Sequence, residues 1–134
     1  MNILLTSVGR RAYIIDYLRD IYKDLGLSGN IVATNSDMNT TAMSVADKAF
    51  ESPLIYDEDY IPFLLEICKN EKIDILISLF DIDLMTLAKN KAEFEAFGVK
   101  VIVSNEDVIN ICNDKFEMLE YLKKINMPVP ETYL

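Results

Sequence analysis

The sequence predicts an α/β domain, a doubly wound parallel sheet of about five strands with helices on both faces. Three observations carry that reading. Apolar runs of strand length alternate with segments of helical periodicity along the chain. One run, Asp74–Leu79 (DILISL), is apolar on both faces, as a central parallel strand should be. The 134 residues are 51% hydrophobic and 26% charged, a balance that supports one domain with a proper core and excludes disorder.

Taken in order, Asn2–Thr6 (NILLT) reads as a buried strand running into the turn Thr6-Ser7-Val8-Gly9. Arg10–Leu25 has helical periodicity with a core stripe of Ile14, Leu18, Ile21 and Leu25, and Gly26 and Gly29 stop it. Asn30–Asn35 is a second strand, Thr41–Ala46 a short helical turn, and Lys48–Ser52 a weak third strand closed by Pro53. Asp57–Asn70 reads as a helix burying Ile61, Leu64, Leu65 and Cys68. After the strand at Asp74–Leu79, a helix capped by Asp81 or Asp83 runs to about Phe97 and stops at Gly98. Lys100–Ser104 is the fifth strand. Glu106–Cys112 and Asp114–Ile125 follow as helices, the latter with Leu119, Leu122 and Ile125 inward. Alternation of this kind builds a Rossmann-like sheet with crossover helices. Pro130–Leu134 begins a new extended segment, from which further chain is expected to follow.

Composition narrows the function. With 13 basic and 22 acidic residues the net charge is −9, which disfavours a nucleic-acid partner. Histidine is absent, so Ser-His-Asp and Cys-His chemistry and histidine zinc sites are excluded from this segment. No apolar run is long enough to span a bilayer, and Met1–Leu5 does not read as a signal peptide. Cys68 and Cys112 are expected to be buried free thiols in a cytoplasmic protein.

Ligands of open parallel sheets bind beyond the carboxyl ends of the strands. The first such loop, Ser7-Val8-Gly9-Arg10-Arg11, joins a helix N-terminus to two guanidinium groups and suits a carboxylate or phosphate. It lacks G-x-G-x-x-G, which argues against a nicotinamide dinucleotide. In Asn35-Ser36-Asp37-Met38-Asn39 the acid sits where dinucleotide folds hold a ribose, but such residues also simply turn the chain. Asp81 and Asp83 either face a substrate, for instance an ammonium group, or serve the helix start. Asn113-Asp114-Lys115-Phe116 reads from its chemistry only as an N-cap.

Three segments together carry a resemblance: NILLTSVGRR, DILISLFDIDL and SNEDVINICNDKFEMLEYLKKINMPVPETYL. The chain resembles the pre-ATP-grasp domain of the ATP-grasp superfamily, in particular proteins similar to the carbamoyl-phosphate synthase large subunit. The resemblance implies a pre-ATP-grasp domain over residues 1–112, with 113–134 as a connecting helix and the start of an ATP-grasp domain. It implies a ligase that uses ATP and Mg2+ to activate a carboxylate as an acyl phosphate for attack by an amine. On that likeness Ser7, Gly9, Arg10, Arg11, Asp81 and Asp83 bind substrate and Lys115 reaches the nucleotide. Magnesium and most ATP contacts belong to the later domain, so residues 1–134 are expected to be inactive alone. The other readings are a nicotinamide- or nucleotide-sugar-binding oxidoreductase domain and a non-catalytic binding or dimerisation module.

Overall fold

The computed structural model describes every residue except Thr132 and Leu134, so part of the extended segment expected at Pro130–Leu134 lies outside the described residues. Five strands, β1 (Ile3–Thr6), β2 (Ile31–Asn35), β3 (Lys48–Glu51), β4 (Ile75–Ser78) and β5 (Lys100–Ile102), pair in parallel in the order β3-β2-β1-β4-β5. The helices are α1 (Ala12–Asp24), α2 (Thr41–Val45), α3 (Tyr60–Asn70), α4 (Asp81–Lys89), α5 (Lys91–Ala96), α6 (Glu106–Asn113) and α7 (Lys115–Lys124). Two compact units result: Met1–Val103 holds the sheet, and Ser104–Leu134 holds α6 packed with α7. No helix among the described residues is long and apolar enough to cross a membrane.

Strand alternation sorts the core into two layers. Ile3, Leu5, Ile31 and Ala33 point to one face, where Ile15 and Tyr22 of α1 and Ala42 and Met43 of α2 cover them. Leu4, Val32, Leu76 and Val101 point to the other, beneath Leu64 and Cys68 of α3, Leu87 of α4 and Phe94 of α5. Helices therefore lie on both faces, as the periodicity requires. The central position belongs to β1, not to the DILISL strand: every residue of β1 is buried, whereas β4 has one fully buried residue. Both strands read as apolar and both are paired on two sides; β1 is the middle strand of the five, with two strands beyond it on each side.

Several expected details change. The buried face of α1 is Ile15 and Tyr22, while Ile21 and Leu25 are exposed. Helix α3 starts at Tyr60 because Asp57 instead closes a turn, its carboxylate accepting from the Leu54 N–H at 3.0 Å. The segment ending at Gly98 is two helices, broken at Asn90, whose side chain bonds the Thr86 carbonyl at 2.8 Å in competition with the backbone ladder. Phe80, not Asp81 or Asp83, is the N-cap of α4, with no side-chain cap bond. Cys68 is buried as expected, and burial pushes its thiol up to about 12, but Cys112 is exposed. No residue of α7 is fully buried, and Ile125 is exposed.

Helix ends follow one pattern. After α1, α3, α5 and α7 the chain takes a left-handed residue, Gly26, Lys72, Gly98 and Asn126 in turn. The next N–H closes each Schellman motif, at 2.8 Å from Leu27 to Tyr22 and 2.9 Å from Ile73 to Cys68. Gly29 does a different job from the helix stop expected of it. A Cβ there would stand 1.9 Å from the Met1 carbonyl oxygen.

At the amino edge of the sheet, side chains tie the strand starts together. The Asn2 amide donates to Glu71 O at 2.8 Å and accepts from Asn30 N at 2.9 Å. Asp47 accepts from Ile31 N at 2.7 Å and from Arg19 at 2.8 Å. Burial raises the Asp47 pKa, but the Ile31 N–H and the Arg19 guanidinium outweigh it and hold the carboxyl below the usual aspartate value. A depressed folded-state pKa stabilises the fold above the unfolded value and is lost as pH falls through the folded one. Asp47→Asn should therefore lower the urea midpoint near neutral pH, by little, since the carboxylate is a third exposed. The difference from wild type should shrink below about pH 4; urea titrations across that range check it.

Candidate functional site

Connectivity places the crevice. From β1 the chain moves outward through β2 to β3, then crosses to the other side of β1 for β4 and β5. The order therefore reverses between β1 and β4, and the loops leaving their carboxyl ends diverge there. Three strands place a hydroxyl residue at that edge in one register: Thr6 is level with Thr34 on one side and Ser78 on the other. A polar row thus closes an apolar sheet face.

Above this row lies Asp83, in the first turn of α4 and fully buried. Its Oδ2 accepts from Ser7 Oγ at 2.7 Å, Ser78 Oγ at 2.9 Å, Thr6 Oγ1 at 3.0 Å and Tyr60 OH at 3.1 Å. Its Oδ1 is buried with no hydrogen-bond partner, and so is the neighbouring row's Thr34 Oγ1. Four hydroxyls thus converge on one oxygen of a buried carboxyl group. Burial first, and the Asp83 charge second, push the Tyr60 phenol well above its usual value, so it stays a donor.

The loop after β1 is held at three points. Val8 is buried in the core, Gly9 O accepts from Ala42 N at 3.2 Å, and Ser7 bonds Asp83. Ser7 and Gly9 both have left-handed backbone, φ 50° and 49°. That conformation suits glycine at Gly9 and costs Ser7 about 1 kcal/mol. The Ser7–Asp83 bond offsets that strain. At the start of α1 the Ala12 and Tyr13 N–H groups have no partner among the described residues. Arg11, the N-cap of α1, makes no ion pair among them either.

These elements surround a cleft of about 420 Å³. Ser7, Arg11, Asn35, Ser36, Tyr60 and Asp83 give it polar lining, and Leu54, Ile55, Phe80 and Ile82 give apolar wall. Of the residues expected at a substrate site, Ser7, Arg11 and Asp83 line this cleft together. Gly9 shapes its loop without lining it, and Arg10 is exposed outside it. Asp81 is exposed at the first position of α4 and does not line the cleft. Asp37 turns its own loop, accepting from Asn39 N at 2.8 Å. Lys115 opens α7 in the second unit, where Asp114 caps the helix by accepting from Phe116 N and Glu117 N. Tyr60 and Ser78 are members that the sequence reading missed. For Ser78 the signal is the recurrence of ILLT, IVAT and ILIS, a hydroxyl at the fourth strand position three times, whereas nothing local signals Tyr60. The described residues contain no group of three or more His, Cys, Asp or Glu able to hold a metal ion.

If the carboxylate organises this edge, Asp83→Ala leaves four hydroxyls without their acceptor. The expected loss is roughly 3–5 kcal/mol in urea unfolding. Ser78→Ala, which removes one donor, should cost about 1 kcal/mol. Near-equal midpoints for the two variants would rule the network out as the organising feature.

Residues 3–102 match the family described as the PylC-like, N-terminal domain. Among solved structures, the biotin carboxylase subunit of pyruvate carboxylase aligns over 96% of this chain and 28% of its own, at 21% identity and a TM-score of 0.64. The L-amino acid ligase from Bacillus licheniformis aligns over 96% and 31%, at 16% identity and a TM-score of 0.60. The biotin carboxylase domain dimer of Hydrogenobacter thermophilus 2-oxoglutarate carboxylase, in complex with ADP, its magnesium salt and bicarbonate, aligns over 96% and 28%, at 18% identity and a TM-score of 0.62. At such identities the likeness is one of fold, and the chain spans less than a third of each of these structures. Matched over most of its first unit, the chain belongs to the PylC-like N-terminal domain family and is a pre-ATP-grasp domain.

Proposed function

We propose that this chain is the substrate-binding domain of an ATP-dependent carboxylate–amine ligase, similar to carbamoyl-phosphate synthase, and that it is inactive by itself. The observation that carries the reading is the cleft at the reversal of strand order, lined by Arg11, which has no ion pair among the described residues, by the start of α1 and by buried Asp83. Guanidinium and backbone N–H groups together suit a small carboxylate, bidentate on Arg11. The apolar wall of Leu54, Ile55 and Ile82 then holds the rest of the molecule and keeps water from it. Asp83 keeps Ser7 and Tyr60 in place and is shielded from solvent, so its part is positioning rather than open contact.

ATP, when bound, supplies the phosphoryl group that activates such a carboxylate as an acyl phosphate. Phosphoryl transfer needs metal ions and several cations around the moving charge. The described residues contain no group of three or more His, Cys, Asp or Glu able to hold a metal ion, and in this reading magnesium belongs to the later domain. In this reading residues 1–112 bind substrate, 113–134 lead towards an ATP-grasp domain, and Lys115 reaches the nucleotide held there. A fold relative is described in complex with ADP and its magnesium salt, which is in keeping with a nucleotide-using enzyme. Small carboxylate and amine substrates and a cytoplasmic setting belong to the same proposal.

Titration calorimetry with a panel of small carboxylates tests it. One of them should bind the 134-residue chain, and Arg11→Ala should weaken it by about tenfold or more, the value of one charge-assisted hydrogen-bond pair. Lys115→Ala should leave that affinity unchanged. With ATP and magnesium the chain should release no ADP. ADP release abolished by Lys115→Ala would refute inactivity, and tight NADH binding in the same cleft would favour the oxidoreductase reading.

A further inference from the structure

Two loops of the cleft carry aromatic side chains that the domain interior does not use. Tyr56, in the loop after β3, is 80% exposed, and Phe80, in the loop after β4, is 40% exposed. Hydrogen bonds pin the backbone of each loop. The Asp57 carboxylate accepts from Leu54 N at 3.0 Å and Asp57 N donates to Leu54 O at 2.9 Å, closing the turn that carries Tyr56. Phe80 N donates to Ser78 Oγ at 3.1 Å. Phe80 also stands at the N-cap of α4, where helices favour Ser, Thr, Asp or Asn, and it makes no side-chain cap bond. Local rules of this kind are broken mainly at functional sites.

Neither ring is spent on another. Among the described residues Tyr56 and Phe80 have no ring contact, and the pair that does form is Tyr13 with Tyr17. Aromatic side chains take a further ring edge to face or offset, a contact that a saturated body of the same size makes less well. Leu54 and Ile82, both exposed, extend the apolar lining around them. Charge decides what the ligand lacks. Among the described residues Arg11 and Asp83 are the charged side chains that line the cleft, and Asp83 is fully buried beneath four hydroxyls. A ligand with a second charge would give up water there without gaining a partner. The volume of about 420 Å³ leaves room, beyond a carboxylate, for a body of ring size.

We propose that the acid this cleft selects is a monocarboxylate bearing an aromatic ring and no second charge, its ring held by Tyr56 and Phe80. The inference rests on the carboxylate reading above and adds the class of acid to it. Arg11 anchors the carboxylate, and the two aromatic residues set specificity. A bare bicarbonate would leave both rings uncovered. A dicarboxylate or an acid with an ammonium tail brings a charge that the lining does not meet. For a second carboxylate the exposed Asp57, Glu58 and Asp59, next to Tyr56 in the chain, add repulsion.

Nuclear magnetic resonance titration of the isotope-labelled chain tests it, with phenylpropionate, cyclohexylpropionate, adipate and aminohexanoate as probes. Phenylpropionate should bind about fivefold more tightly than cyclohexylpropionate. Over adipate and aminohexanoate its advantage should be about tenfold or more. Tyr56→Ala and Phe80→Ala should each weaken phenylpropionate by about fivefold. Tyr17→Ala, which removes an exposed ring away from the cleft, should change nothing. The amide spectra also show that these exposed-site variants stay folded. If adipate or aminohexanoate binds more tightly, and Arg11→Ala still weakens it, the carboxylate reading stands and this proposal is overturned. Phenylpropionate binding that matches cyclohexylpropionate, or that ignores Phe80→Ala, overturns it too. Phenylpropionamide keeps the ring, loses the charge and so separates the two claims. It should bind about tenfold more weakly than the acid and remain sensitive to Phe80→Ala. An amide as tight as the acid would overturn the carboxylate reading, and with it the acid named here, leaving a site for a neutral ring. Binding of none of the five probes overturns both.

Discussion

A carboxylate placed where water cannot reach it must be met by donors, and in this fold that requirement falls on Asp83. Stranding an ionised group in the interior costs several kcal/mol. Four hydroxyls meet it, drawn from the end of β1, the loop after β1, the end of β4 and the start of α3. Thr6 lies 77 positions from Asp83, so the contact cannot form until the sheet has assembled. A slip of β4 by one residue would turn Ser78 to the opposite face and replace its hydroxyl with an alkyl group. The carboxylate thus penalises wrong registers, a specificity that apolar packing alone supplies weakly.

The two edges of the sheet differ in how far their polar groups are satisfied. At the amino edge Asn2 uses both ends of its amide and Asp47 both of its oxygens. At the carboxyl edge Asp83 Oδ1 and Thr34 Oγ1 are buried without partners, and Ser7 is held in left-handed backbone. Native structures satisfy nearly all buried polar atoms. Strain and unmet hydrogen bonding gathered at one edge mark where a fold trades stability for a site.

Much of this was legible in the sequence, because hydrophobic period decides secondary structure before any tertiary contact does. All five strands, their parallel pairing and helices on both faces follow from it. What periodicity could not give was which apolar residues the sheet would cover. Ile21 and Leu25 share the helical period of Ile14 and Leu18, yet the sheet takes up the side of α1 that carries Ile15 and Tyr22. Both stripes are apolar, and only packing against Ile3, Leu5 and Ala42 chooses between them. The site was half legible for a similar reason. Loop positions and arginines can be read from residue order, whereas Tyr60 joins Asp83 through two crossovers that no local pattern records. The hydroxyl ending shared by ILLT, IVAT and ILIS was present, but its meaning depends on register, which aligns those ends in space.

The net charge of −9 stands against a site for an anion, and distance settles which effect wins. At physiological ionic strength fields decay over about 8 Å, so charges spread over the far surface act weakly inside the cleft. What an anion meets at close range is the Arg11 guanidinium and the free N–H groups of α1, with no acid in the first turn of that helix. Among the described residues Asp83 is the one carboxylate lining the cleft, and four hydroxyl donors face it. Those hydroxyls donate to Asp83, so they satisfy the acid without competing for the arginine. In the proposed reading, an acidic surface with one cationic corner repels anions generally and admits those small enough to reach Arg11. The buried carboxylate therefore serves the proposed site twice, by fixing the loop that presents Arg11 and by keeping its own charge out of the ligand's way.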